Sequence, residues 1–90
     1  YPDYYISKNK AELNPATDVK VLLSKLTEKY KNNPVNTEDG LKIEFGDDWV
    51  HVRASNTEPI LRIYSESSFQ TTAENIANRI IRDIHEISTQ

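Results

Sequence analysis

The residues best equipped for chemistry lie in one stretch, Arg53-Ala54-Ser55-Asn56-Thr57-Glu58-Pro59, followed three positions later by Arg62. Ser55 and Thr57 bring hydroxyl donors, Asn56 brings an amide donor and tolerance for a left-handed backbone, and a tight turn aims backbone N–H groups into one concavity. Such a set suits an anion. Arg53 adds a planar fork of donors that matches two oxygens of a phosphate, where a lysine would supply only a point charge. Against this, Ser-Asn-Thr is common turn composition, and an arginine at a strand end is often just solvated or paired with a carboxylate. Residue types alone leave both open.

Little else in the chain offers a second centre. With no Cys there are no disulfides, thiolate metal sites or thiol nucleophiles, and two histidines, His51 and His85, make no histidine-rich metal site. His51 shares a strand face with Trp49 and Arg53, near the anion-binding stretch, but a surface strand position is the commoner role for such a residue. Trp49 reads as a half-buried aromatic beside a turn in preference to a ligand-stacking platform. The acid pairs Glu38-Asp39 and Asp47-Asp48 fall at hairpin turns, where Asp is favoured for backbone reasons, and lack the ligand spacing of a calcium loop. No catalytic and no metal-binding residue is expected in this chain.

Ninety residues carry 11 Lys and Arg against 14 Asp and Glu, a net charge of −3. That balance opposes the electrostatic attraction behind most nucleic-acid affinity, so nucleic acid is not an expected partner. No uninterrupted apolar stretch exceeds three residues, far below the roughly 18 that span a bilayer, and no membrane association is expected. The missing cysteines fit a cytoplasmic location. Residues 1–90 are expected to form a single domain, too small to enclose a large catalytic cleft alone. The chain starts at Tyr1 and has no Met, so it is expected to be a piece of a longer one.

The elements that must hold the Arg53 stretch follow from periodicity. A β-prone run opens at Tyr4-Tyr5-Ile6 and continues to about Leu13, and Asn14-Pro15 breaks it. Thr17 or Asp18 caps a helix over Asp18 to Lys31, where Val19, Leu22, Leu23, Leu26 and Tyr30 share one face. Asp39-Gly40 is a type I′ hairpin signal ahead of the alternating Leu41 to Phe45, and a second turn at Gly46-Asp47-Asp48 leads into Trp49 to Arg53. Ile60 to Ser65 is a further strand. Thr71 to Glu74 reads as a capping box opening a helix in which Ala73, Ile76, Ala77, Ile80, Ile81, Ile84 and Ile87 form one apolar stripe. The order strand, helix, strands, helix implies an α+β fold: a mainly antiparallel sheet of about four strands with two helices packed on one face and the other face open.

Residues 39–45 and 49–64, above all the string Arg53-x-Ser-Asn-Thr-Glu-Pro-x-x-Arg62, closely resemble the C-terminal, fourth domain of the α-D-phosphohexomutases of the phosphoglucomutase/phosphomannomutase type. The resemblance implies that Arg53, Ser55, Asn56 and Thr57 contact the substrate phosphate. It implies that Glu58, Pro59 and Arg62 shape the loop, with Arg62 either pairing with Glu58 or adding charge to the site. It further implies a parent isomerase in which a phosphoserine exchanges phosphoryl groups with a hexose phosphate through a bisphosphorylated sugar, assisted by magnesium held in other domains. The implied partners are a hexose phosphate and three further domains of the parent; the domain has no cofactor of its own, acts as a lid on the cleft and is inert by itself. The alternative is a stand-alone α+β binding or interaction module that uses its open sheet face.

Overall fold

The sequence periods are realised in a computed structural model that describes residues 4–38, 40–55 and 58–88. In chain order the elements are β1 (Tyr5–Glu12), α1 (Val19–Lys29), β2 (Val35–Asn36), β3 (Leu41–Phe45), β4 (Asp48–Ala54), β5 (Ile60–Ser67) and α2 (Gln70–Ser88). Of the two candidates for the first helix cap it is Asp18 that serves, its Oδ1 accepting from the Lys20 and Val21 amides at 3.0 and 3.4 Å. Those amides have no carbonyl partner within the helix, so the cap satisfies them. Upstream, the Asn14 side chain accepts from the Ala16 amide at 2.9 Å, which fixes the turn at Asn14-Pro15.

The strands form one sheet in the order β1-β5-β4-β3-β2. Every neighbouring pair is antiparallel. The α+β class and the helices on one face are as expected, but the sheet has five strands where about four were anticipated. The extra one is β2, whose two residues pair Val35 with Ile43 and Asn36 with Lys42. Two residues directly after Pro34 are too few to show an alternation.

Two glycines with positive φ sit at the turns, and one cap departs from the sequence pattern. The last pair between β2 and β3 sets Asn36 opposite Lys42. Gly40 takes a φ of +76°, a conformation that favours glycine, while Asp39 of the expected Asp39-Gly40 turn lies outside the described residues. Between β3 and β4 the turn is tight, with Phe45 opposite Asp48 and positive φ at Gly46. The second helix starts before the Thr71 to Glu74 pattern: the Phe69 carbonyl accepts from the Ala73 amide at 3.0 Å, and Ser67 Oγ accepts from the Phe69 amide at 3.2 Å. The threonines therefore ride in the first turn and do not cap it.

Alternation then sorts the sheet into two faces. Leu41, Ile43, Val50, Val52, Leu61 and Ile63 point to the helix side and meet Leu22, Leu26 and Tyr30 of α1 and Ala77, Ile80 and Ile84 of α2. Each fully buried aliphatic side chain contributes on the order of 1.5–3 kcal/mol. The helices are joined by a polar lock at Asp83, which is only 6% exposed. Its carboxylate accepts from Lys29 Nζ at 2.7 Å and from the Tyr30 hydroxyl. Burial, reinforced by the bond to Asp83, pushes the Tyr30 phenol up to about 12. No helix among the described residues is long and apolar enough to cross a membrane.

Candidate functional site

Strands β4 and β5 carry the Arg53 to Pro59 stretch at their shared end. Their register sets Arg53 directly opposite Arg62 and Ala54 opposite Leu61. Both arginines are exposed, and the pleat sends both to the face away from the helices, because Val52, Leu61 and Ile63 on the alternate positions are fully buried. The two guanidinium groups thus share a patch of surface. Arg62 makes no ion pair with Glu58 among the described residues.

The loop between the strands is pinned by its own backbone. The Ser55 amide donates to the Ile60 carbonyl at 3.1 Å, and the Ile60 amide donates to the Glu58 carbonyl at 2.8 Å. The Leu13 amide donates to the Pro59 carbonyl at 2.7 Å, which ties the loop to the segment leaving β1. Glu58 and Pro59 are exposed, and it is their carbonyls that accept these bonds. Ser55 is half-buried at the loop entrance, and its amide is committed to loop closure. Asn56 and Thr57, the other two expected phosphate contacts, lie outside the described residues.

Gly40 supports Arg53 from the neighbouring strand end. A Cβ on Gly40 would lie 3.4 Å from both Cα and Cγ of Arg53 and 2.4 Å from the Val52 carbonyl oxygen. Only a residue without a side chain lets the hairpin approach β4 this closely.

Further along the open face, two more cross-strand rows run parallel to the Arg53 row. One aligns Lys42, His51, Tyr64 and Lys8; the next aligns Glu44, Trp49, Glu66 and Ile6. Trp49 is held by its neighbours, with Nε1 donating to Glu66 at 2.8 Å and Lys42 Nζ 5.2 Å from the ring centroid. That matches its expected structural role. The same registers extend the Arg53–Arg62 row to Lys10 of β1, an exposed residue that sequence reading passed over because nothing local fixes which strand β1 joins.

Among the described residues no three His, Asp or Glu side chains cluster closely enough to hold a metal ion.

Comparison with known proteins bears on the same residues. Residues 8–83 match the family model described as phosphoglucomutase/phosphomannomutase, C-terminal domain. The phosphoglucosamine/phosphogalactosamine mutase of Sulfurisphaera tokodaii is 40% identical over 88% of this chain and 18% of its own length. The phosphoglucomutase/phosphomannomutase of Thermococcus kodakarensis is 43% identical over 80% of the chain and 16% of its own length. A probable phosphoglucosamine mutase of Methanopyrus kandleri is 33% identical over 78% of the chain and 15% of its own length. The chain thus spans about a sixth of the length of these relatives.

Proposed function

The chain belongs to the phosphoglucomutase/phosphomannomutase family, as its C-terminal domain, and from that premise we propose that it holds the phosphate of a hexose phosphate and helps close the active-site cleft of a longer mutase. Residues 1–90 act as one domain of that enzyme, working in the cytoplasm beside three further domains of the parent. The observation that carries the proposal is the Arg53–Arg62 pair, two exposed guanidinium groups directly opposite each other at the mouth of the Ser55–Pro59 loop.

Two planar forks side by side offer parallel N–H pairs to the non-bridging oxygens of one phosphomonoester. The Ser55 hydroxyl, with Asn56 and Thr57, completes the set, while Glu58 and Pro59 fix the loop that carries them. This chain contributes no catalytic residue and takes no cofactor; magnesium is left to other domains, and no step depends on it here.

In the parent, a phosphoserine gives its phosphoryl group to the sugar and regains the other one from the bisphosphorylated product. The task of this domain is to grip the phosphate that is not reacting. That remote binding energy positions the reacting end and favours closure, which keeps water from the phosphoserine. One cradle then serves both orientations of the sugar, since each presents a phosphate to it.

The alternative of a stand-alone sheet-face binder is less well supported, because Trp49 is already engaged by Glu66 and Lys42 and is flanked by the two carboxylates of its row. The deciding experiment is an NMR titration of this chain with a hexose phosphate, beside Arg53→Ala. Shifts confined to residues 53–62 and abolished by the substitution are expected. In the full-length enzyme the same substitution should weaken substrate use at least tenfold, the scale of losing charge-assisted hydrogen bonds, and spare serine phosphorylation. Unchanged kinetics would contradict the anchoring role.

A further inference from the structure

The Arg53 row does not end at Arg62. The β1–β5 register sets Lys10 opposite Arg62, so Lys10, Arg62 and Arg53 stand side by side across three adjacent strands. With strands about 4.8 Å apart, the backbones of Lys10 and Arg53 are separated by roughly 10 Å with Arg62 midway. Ala11 beside Lys10 is buried against the helices and Lys10 itself is exposed, so its side chain shares the face of the two arginines.

Like charges directly opposite one another weaken a sheet. Two other lysines meet carboxylates, Lys29 with Asp83 at 2.7 Å and Lys31 with Glu28 at 3.3 Å. The row sets three cationic residues side by side next to the loop, in a chain that is acidic in sum, with Glu12 the next residue on that face of β1.

On the reading that this chain holds a hexose phosphate, we infer that Lys10 is a third substrate-binding cation, reaching past Arg62 to the same phosphoryl group. A phosphomonoester near neutral pH carries between one and two negative charges on three oxygens. Two guanidinium forks occupy part of that acceptor capacity, and a flexible ammonium approaching from the β1 side reaches what is left. Lys8 provides the internal comparison. It lies on the same strand and face, but about 6.6 Å further along, opposite Tyr64 and outside the arginine row.

The test is a titration of this chain with glucose 6-phosphate, inorganic phosphate and glucose, followed by amide shifts, for wild type, Lys10→Ala, Lys10→Arg, Lys8→Ala and Arg53→Ala. Lys10→Ala should weaken glucose 6-phosphate binding about three- to tenfold, Lys10→Arg should recover most of it, and Lys8→Ala should stay within about twofold of wild type. Glucose should give no shifts; binding of inorganic phosphate with the same dependence on Lys10 assigns the contact to the phosphoryl group, and dependence seen only with the sugar phosphate overturns that assignment. An unchanged affinity in Lys10→Ala, with binding still abolished by Arg53→Ala, overturns the role of Lys10 and leaves the anchoring function standing. Equal losses in Lys8→Ala and Lys10→Ala reduce the effect to general surface charge and overturn it too. If no titration depends on Arg53, the anchoring function itself fails, and the role of Lys10 with it.

Discussion

Gly40 packs against β4 so closely that a Cβ on it would stand 2.4 Å from the Val52 carbonyl oxygen. Its φ of +76° is a second constraint, since L-residues with side chains are strained there. Gly40→Ala therefore meets both a backbone clash and an unfavourable dihedral and should cost about 2–4 kcal/mol in urea unfolding. Gly46 separates the two effects: its φ is +71°, yet nothing lies within 4 Å of the added Cβ. Gly46→Ala should cost only the dihedral part, about 1–2 kcal/mol. Since Arg53 follows Val52, Gly40→Ala should also weaken phosphate binding, whereas Gly46→Ala should not.

The Tyr30 lock predicts a stability change at high pH. Its phenol titrates at about 12 in the fold, raised chiefly by burial and then by Asp83, against an ordinary value of 10. Above pH 10 the unfolded chain releases this proton while the native chain keeps it, so stability falls as pH rises from 10 to 12. Below pH 10 both states are protonated and the contribution is fully present. The loss over the window is on the order of 2–3 kcal/mol, and Tyr30→Phe should flatten it. The same substitution should lower stability at pH 7 by about 1–2 kcal/mol, because Asp83 then keeps Lys29 as its partner but loses the hydroxyl. Urea unfolding of both proteins at pH 8 and pH 11 measures each effect.

Ser65 makes a comparable but milder prediction. Fully buried on β5, it donates its hydroxyl to the Ala73 carbonyl of α2 at 2.6 Å. Ser65→Ala removes a donor without orphaning the acceptor, since Ala73 lies in the helix, where its carbonyl has an amide four residues on. A loss of about 0.5–1.5 kcal/mol is expected from thermal melting.

What the sequence made legible was whatever local pattern encodes. The isoleucine stripe of α2, the alternation of Leu41 to Phe45 and of Val50 and Val52, and the loop composition at Ser55 to Pro59 each depend on residues a few positions apart. The hidden features depend on pairing between distant segments. Placement of β1 beside β5 joins Lys10 to Arg62 across more than fifty residues, and no period near Lys10 reports it. Asp83 reads as one more charged position on a helix flank until Lys29 and Tyr30 are brought against it. β2 is too short to have a period, and only its pairing with β3 reveals it as a strand.

The Arg53–Arg62 row also predicts an opposition between stability and binding. Two cations directly opposite on adjacent strands repel, and replacing one with a β-prone neutral residue should relieve about 0.2–1 kcal/mol. Arg62→Thr should therefore melt above wild type in chloride buffer. A hexose phosphate reverses the order, because a ligand that binds only the folded state stabilises it by RT ln(1 + [L]/Kd), about 1.4 kcal/mol at ten times Kd. In a domain this small that raises the wild-type melting temperature by roughly 6–11 °C. Arg62→Thr, binding more weakly, should gain a fraction of that at the same ligand concentration. Sodium chloride at matched ionic strength controls for screening, which relieves the repulsion in wild type without filling the site. Equal shifts of the two proteins on adding hexose phosphate would show that Arg62 does not touch the anion.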